Sequence, residues 1–194
     1  MRLGTPLLAV ALAAALGPPA AAASRPFAIV NDGRSYAAFR IEDTLETIDG
    51  TTNKVAGSIT FDPDALSSSS ATASVDLPSL DTGVALRDSE MRSTLDTEHF
   101  PAATFKTTVI SGAPATLAVG QSADFRAGGD FTLHGVTRRI SAPVHLVRES
   151  GDRIHATMRF TIRMTDFNIA VPDKLVVSVA NEVVIRVDVF ATAR

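Results

Sequence analysis

The sequence predicts an all-β protein, an antiparallel sandwich or barrel with one inserted helix. The clearest sign is the stretch from Ile154 to Met164 (IHATMRFTIRM), in which apolar and polar side chains alternate. Successive side chains of a strand point to opposite faces, so this alternation indicates a strand with one apolar and one polar face. Other segments repeat the pattern, and turn sequences such as Asp49-Gly50 and Ser150-Gly151-Asp152 lie between them.

The strands predicted on this basis follow one another closely along the chain. Each has apolar residues at every second position, as in Ile140, Ala142, Val144 and Leu146. Closely spaced strands separated by turn residues are typical of an antiparallel sandwich or barrel. The predicted strand segments are 35–42, 55–61, 71–77, 105–110, 117–119, 124–134, 140–147, 154–164, 176–179 and 181–191.

One segment, residues 82–100, breaks the alternation. Val84, Met91 and Leu95 recur there at helical spacing, with Leu86 beside them, and charged residues fill the remaining positions. This pattern predicts an amphipathic helix of about three turns. A single helix in an all-β chain covers the open end of a barrel, and that end is the natural entrance for a ligand.

The first 23 residues have the three parts of a secretory signal peptide. Arg2 is the basic start, Leu7 to Leu16 is the apolar run, and Ala21 to Ala23 is a small-residue cleavage site. The apolar run is too short to span a bilayer, and no later run is long enough to do so. We therefore expect a signal peptide over 1–23, one mature domain over 24–194, and a periplasmic or secreted location.

Composition excludes several classes of function. The chain has no cysteine, which rules out disulfides, thiolate catalysis and cysteine-ligated metals. Its net charge is −3, and loss of Arg2 on cleavage would make it one unit more negative. A mildly acidic protein is not expected to bind nucleic acid or an anionic membrane surface.

Two stretches resemble the signatures of the YceI-like family. Leu80 to Thr107 (LDTGVALRDSEMRSTLDTEHFPAATFKT) has a threonine, an Arg-Asp pair, a leucine-bearing helix, Phe-Pro and a Thr-Phe strand start. Gly129 to Val144 (GDFTLHGVTRRISAPV) is similar to the second signature, with Phe131 in place of its first leucine. The tail from Thr165 also fits. At the first strand Arg34-Ser35 stands where the family often has a His-Ser pair.

The resemblance implies a lipocalin-like antiparallel barrel of about eight strands, large enough to hold one small ligand. It also implies an exported bacterial protein that binds a long polyisoprenoid lipid, such as an isoprenoid quinone, in an apolar tunnel. No cofactor beyond that bound lipid is expected. The oligomeric state stays open, and a homodimer is compatible with the sequence.

Fourteen apolar side chains are expected to line the tunnel. They come from the apolar faces of the predicted strands and from the helix, and filling a packed core is the alternative role for each of them. Met91 and Met158 suit a flexible tail because a thioether adapts its shape. The predicted lining residues are Phe39, Ile59, Val75, Leu77, Met91, Leu95, Phe105, Phe131, Leu133, Met158, Phe160, Ile162, Phe167 and Ile169.

Three polar residues are candidates for the tunnel mouth. Arg87 and Asp88 lie in the predicted helix, where they would latch it to the barrel or hold a ligand headgroup. A solvated helix face is the alternative. His99 follows the helix and could donate to a quinone carbonyl or phosphate, or satisfy a nearby backbone group.

Two further histidines lie on the polar faces of adjacent strands. A three-residue loop centred on Ser150 would place His145 opposite His155, with Cβ atoms about 4.5–5.5 Å apart. Two imidazoles in that position could share a transition metal. A third ligand would have to come from elsewhere in the chain, and two exposed histidines are a weak signal, so we predict no metal site.

No catalytic constellation is present in the sequence. It has no nucleophile elbow, no His-Glu-x-x-His, no phosphate-binding loop and no dinucleotide fingerprint. The sequence therefore favours a carrier of a hydrophobic lipid over an enzyme. Two alternatives remain open, a stress-related interaction protein with a solidly packed barrel and a lipid-modifying enzyme.

Overall fold

The computed structural model describes residues 24–43, 47–171, 173–174 and 177–194. The predicted signal peptide lies outside this part of the chain. The described strands are β1 (Arg25–Ile29), β2 (Tyr36–Asp43), β3 (Thr47–Thr52), β4 (Val55–Phe61), β5 (Ser70–Asp76), β6 (Ala102–Ser111), β7 (Ser122–Leu133), β8 (Val136–Arg148), β9 (Arg153–Arg163), β10 (Asp173–Lys174) and β11 (Val177–Ala193).

Eight of these strands close into an antiparallel barrel. Neighbours pair in the order β1, β4, β5, β6, β7, β8, β9, β11, and β1 pairs with the end of β11 to complete the ring. The β2–β3 hairpin continues the sheet along the first half of β11. The predicted eight-stranded antiparallel barrel is confirmed. Closure gives each of the eight strands a neighbour on both sides, which suits a chain without disulfides.

Alternation along β9 decides which side chains face the interior. Ile154, Ala156, Met158, Phe160 and Ile162 all point into the barrel. Strand β9 pairs with β11 in a continuous antiparallel register over Arg153–Arg163, so these residues have β11 partners on the same face of the sheet. Those partners are apolar as well. The strand that the sequence predicts most clearly therefore forms part of the wall of the interior.

The inserted helix has about the three turns that the sequence predicts. Helix α1 spans Ala85–Thr94, ten residues within the segment 82–100 in which the alternation stops. It ends because Asp96 adopts a positive φ of 45°, after which the Phe100 amide donates to the Asp96 carbonyl at 2.8 Å. Met91 and Leu95 pack against the barrel, as the helical spacing predicts. Val84 and Leu86 do not, and both are exposed.

The buried side chains of the described residues form three clusters, of which the two larger lie toward the two ends of the barrel and the smallest comprises Ala37, Val55 and Val189. The cluster beside α1 contains Leu77, Phe131, Leu133, Ile162 and Phe167 among others. The cluster at the opposite end, which we call the floor, is closed by Leu66 of the 3-10 helix Leu66–Ser68 and by the 112–121 loop. The floor residues are Phe27, Phe61, Leu66, Leu117, Ala123, Leu146, Ile154 and Ala191.

Candidate functional site

The barrel encloses an apolar cavity of about 930 Å³. At one end the cavity is lined by Val84, Leu86 and Arg87 beside and on α1. At the other end it reaches the floor residues Leu66 and Ile154. Protein interiors rarely leave voids much larger than a water molecule, so a space of this size is a feature of the fold rather than a packing fault.

Thirteen of the fourteen predicted lining residues face this cavity: Phe39, Ile59, Val75, Leu77, Met91, Leu95, Phe105, Phe131, Leu133, Met158, Phe160, Ile162 and Ile169. Phe167 is the exception, because it lies in the 3-10 helix Met164–Phe167 and packs behind the wall. Its ring meets Phe131 edge to face, with centroids 5.5 Å apart. Phe167 therefore supports the wall without being part of it.

The last strand, β11, also lines the cavity, although none of its residues is among the fourteen predicted. Val183, Ile185, Val187 and Val189 of β11 all line the cavity. Their positions alternate through segment 181–191 just as those of β9 do, so the same criterion would have found them. The floor residue Leu66 carried no such signal, because it lies in a short 3-10 helix rather than in a strand.

The predicted polar residues of the mouth have three different placements. Arg87 lines the cavity. Asp88 is buried away from it and accepts hydrogen bonds from the Thr82 amide at 2.9 Å and the Thr82 hydroxyl at 2.6 Å. These two hydrogen bonds hold the pKa of the Asp88 carboxyl below its ordinary value. His99 is largely exposed and contacts Asp96, which raises the pKa of the imidazole.

Asp88 ties the first turn of α1 to Thr82, in the segment that leads into the helix. Thr82, which it binds, directly follows Asp81, and Asp81 pairs with Thr51 of β3 through two backbone hydrogen bonds of 2.9 Å. The chain entering α1 is therefore attached to the sheet on one side and to the helix on the other. The latch between helix and barrel that the sequence assigns to the Arg87-Asp88 pair stays a prediction.

The predicted opposition of His145 and His155 is wrong. In the β8–β9 hairpin His145 pairs with Thr157 and His155 pairs with Val147, a shift of two residues from the expected register. The shift arises because the turn is longer than three residues and the ladder begins only at Arg148 and Ile154. Each histidine contacts its own aspartate, Asp124 for His145 and Asp188 for His155.

No cluster of three or more potential metal ligands occurs among the residues that the structure describes. The two histidines that could have shared a metal are directed to carboxylates on different neighbouring strands, β7 and β11. This register removes the geometric basis for a site between them.

A polar network surrounds Asp188 on the outer face of the barrel. The buried carboxylate lies 2.6 Å from His155 Nε2 and accepts hydrogen bonds from Thr157 Oγ1 and Arg186 Nη2, at 3.2 and 3.0 Å. Burial alone would raise the pKa of Asp188, but the contacts with His155 and Arg186 outweigh it and hold the pKa below its ordinary 3.8. The network ties β9 to β11 from outside the cavity.

We expect the Asp188→Asn variant to lose stability at neutral pH and to lose less of it in acid. A carboxylate with a lowered pKa stabilises the folded state above its ordinary pKa of 3.8, and this contribution disappears as the pH falls further. Urea unfolding at pH 6 and pH 3 measures the difference from the parent protein. A gap that stays constant between the two pH values would contradict this role for the Asp188 charge.

A closed antiparallel barrel of eight strands around an apolar cavity defines a lipocalin-like protein. The chain belongs to the YceI-like domain family, which matches residues 29–191. The resemblance found in the sequence is therefore confirmed.

Relatives of known sequence and structure agree with this assignment. A UPF0312 protein of Vibrio cholerae is 34% identical over 139 residues, 69% of each chain. One from Enterobacter sp. (strain 638) is 29% identical over 172 residues, 84% of this chain and 85% of its own.

Two solved structures share the fold. BcnA of Burkholderia cenocepacia superposes with a TM-score of 0.71 at 22% identity, covering 84% of this chain and 99% of its own. A polyisoprenoid binding domain from Saccharophagus degradans, implicated in plant cell wall breakdown, gives a TM-score of 0.69 at 21% identity, covering 87% and 98%.

Within the described ranges, no helix combines the length and the apolar character that crossing a bilayer requires.

Proposed function

We propose that this protein is an exported carrier that holds a long polyisoprenoid lipid, such as an isoprenoid quinone, inside the barrel. The observation that carries the proposal is the cavity of about 930 Å³ with its aliphatic, aromatic and methionine lining. Its size is at the upper end of the range for small-molecule sites, about 300–1,000 Å³. The polyisoprenoid binding domain among the structural neighbours supports the same class of ligand.

Burial of the tail supplies the affinity. Each methylene moved from water into an apolar site contributes about 0.8 kcal/mol. Met91, Met158 and Met164 adapt their shape to a flexible chain, and they are distributed between the helix and the wall. A tail of repeated apolar units therefore gains more from this site than a compact polar molecule does.

The polar content of the cavity favours binding over catalysis. The charged residues among its described lining, Arg87 and Glu90, both lie on α1 at the mouth. Among the described residues, the deeper wall has no histidine and no carboxylate that could act as a base or acid in proton transfer. This distribution suits a ligand with a polar head at the helix and an apolar tail inside.

The size of the cavity also favours a carrier over the alternative of a packed barrel that acts only through its surface. A solid core would bring side chains from opposite walls into contact, whereas Met158, Phe160 and Ile185 border open space. Export rests on the signal-peptide pattern of residues 1–23. N-terminal sequencing of protein recovered from the periplasm or medium should begin at Ser24.

A series of quinones with increasing tail length tests the carrier proposal. We expect undetectable binding of the tail-free ring, and affinity that rises about fourfold for each added methylene-equivalent until the cavity is full. Isothermal titration of purified mature protein, with each quinone delivered from a non-denaturing detergent, measures this dependence. Equal binding of the tail-free ring and the long-tailed quinone would contradict the proposal.

A further inference from the structure

A short apolar segment at the rim of the cavity is exposed to solvent. Residues 84–86, which we call the rim segment, read Val-Ala-Leu and comprise the N-cap and first residues of α1. Val84 is 45% exposed and Leu86 is 72% exposed. Such exposure is unfavourable for large apolar side chains in water, so the position of the pair needs a reason.

The rim segment is continuous with the interior. Val84 and Leu86 both line the cavity as well as facing solvent, so apolar surface runs without interruption from the tunnel to the outside. The other large exposed apolar residues of the described chain, Val109 and Val119, do not line the cavity. Among the large exposed apolar residues of the described chain, those that also line the cavity are therefore the two at the mouth, Val84 and Leu86.

The base of the rim segment is held in place. Asp88 binds both the amide and the hydroxyl of Thr82, and Asp81 is paired with Thr51 of the sheet. Gly83 connects this base to Val84 with a φ of +78°, in the left-handed region that glycine adopts readily, and a side chain there would meet open space. Because the base is fixed, less conformational freedom is lost when the rim segment contacts a partner.

We propose that the rim segment inserts into the surface of a lipid bilayer, so that a lipid enters or leaves the tunnel without crossing water. This inference rests on the proposed function, since the ligand of such a carrier resides in membranes. Insertion of a few apolar side chains gives weak, reversible attachment, as a carrier that must leave the membrane requires. The net charge of −3 favours an uncharged bilayer surface over an anionic one.

A second copy of this chain fits the rim segment less well than a bilayer does. A stable protein interface buries about 1,200–2,000 Å² in total, far more than two side chains supply. Charged residues lie beside the segment on α1, including Arg87 and Glu90, and the core of a protein interface is depleted of charge. A bilayer surface accommodates this arrangement, because charged groups remain at the headgroups while apolar ones enter below them.

The direct test is flotation of the mature protein with ligand-free phosphatidylcholine vesicles. The variant Val84→Ser/Leu86→Ser removes several methyl groups from the rim segment. Burial of each such group changes the membrane partition coefficient about fourfold, so we expect vesicle binding to fall at least about tenfold. The matched control Val109→Ser/Val119→Ser removes exposed apolar surface away from the mouth and should float as the parent protein does. Equal flotation of the two variants, or no flotation of the parent protein, would overturn the proposal.

A second measurement leaves Val84 in place and reports on the surroundings of position 86 directly. The chain has no cysteine, so Leu86→Cys and Val119→Cys can each be labelled with an environment-sensitive dye without background. We expect the dye at position 86 to brighten with vesicles and the dye at position 119 to stay unchanged. The reverse pattern, or a response that follows protein self-association instead of vesicle concentration, would overturn docking to a bilayer.

The two proposals fail in different ways. Flotation on ligand-free vesicles requires no cargo, whereas the quinone titration requires no bilayer. A protein that binds long-tailed quinones from detergent but shows no insertion of the rim segment would retain the carrier function and lose the docking surface. A protein that inserts but binds no tailed quinone would lose the carrier function on which the docking proposal rests.

Discussion

The variant Ala156→Trp is expected to lose at least about 100-fold in affinity for a long-tailed quinone while remaining folded. Ala156 lies on β9 toward the floor, lines the cavity, and pairs with Leu146 on one side and Val189 on the other. An indole at this position would occupy space that the tail needs. Each excluded methylene costs about fourfold in affinity, so the loss of one five-carbon unit is sufficient for the expected effect.

Thr161→Trp is the matched control for this experiment. Thr161 lies on the same strand but on its outer, exposed face, so the same side chain adds bulk without entering the cavity. Titration with the quinone and a thermal unfolding curve should be recorded for both variants. Parent-like affinity in Ala156→Trp, together with normal unfolding, would show that the tail does not use this part of the cavity.

The variant Phe167→Ala is expected to cost about 3–5 kcal/mol of unfolding free energy. Phe167 is 2% exposed and its ring contacts Phe131, which in turn meets Phe160 edge to face at 5.3 Å. Truncation would leave a void behind the cavity wall that the rigid sheet cannot close. Since single domains have about 5–15 kcal/mol in total, a loss of this size is large.

Denaturant unfolding measures this change, with Val119→Ala as the control. Val119 is 53% exposed and lies outside the buried clusters, so its truncation should change stability by less than about 0.5 kcal/mol. If Phe167→Ala unfolded at the same denaturant concentration as Val119→Ala, the ring would have no supporting role behind Phe131.

The fold was predictable wherever alternation is long. Along Ile154 to Met164 the period of two assigns each residue to one face, and the structure places the apolar face inside. Alternation alone could not distinguish a barrel from a sandwich, because both bury one face of every strand. The family signatures around the Arg-Asp pair and around Gly129 supplied the closed barrel of eight strands.

The residues of the candidate site were predictable for the same reason. The predictions failed at positions where strands end. Phe167 lies in a 3-10 helix, to which a period of two does not apply, so its place behind Phe131 required the structure. The register of His145 and His155 depended on the length of one turn, which spacing of apolar residues does not specify.

The pattern of apolar residues also did not predict that the rim segment is exposed. Helical spacing grouped Val84 with Met91 and Leu95, but the helix begins one residue later, at Ala85. Val84 therefore lies at the N-cap and projects from the rim, while Met91 and Leu95 pack on the barrel. Where a helix starts depends on local polar contacts such as that between Asp88 and Thr82, which a pattern of apolar residues does not contain.

Native mass spectrometry of the mature protein, purified from its export compartment and followed by solvent extraction, tests the central claim most directly. The account predicts one bound prenyl lipid or isoprenoid quinone per chain, released by the solvent and absent from Ala156→Trp. A protein with an apo mass that stays empty after incubation with long-tailed quinones and polyprenyl phosphates would contradict the assignment of the cavity as a lipid site.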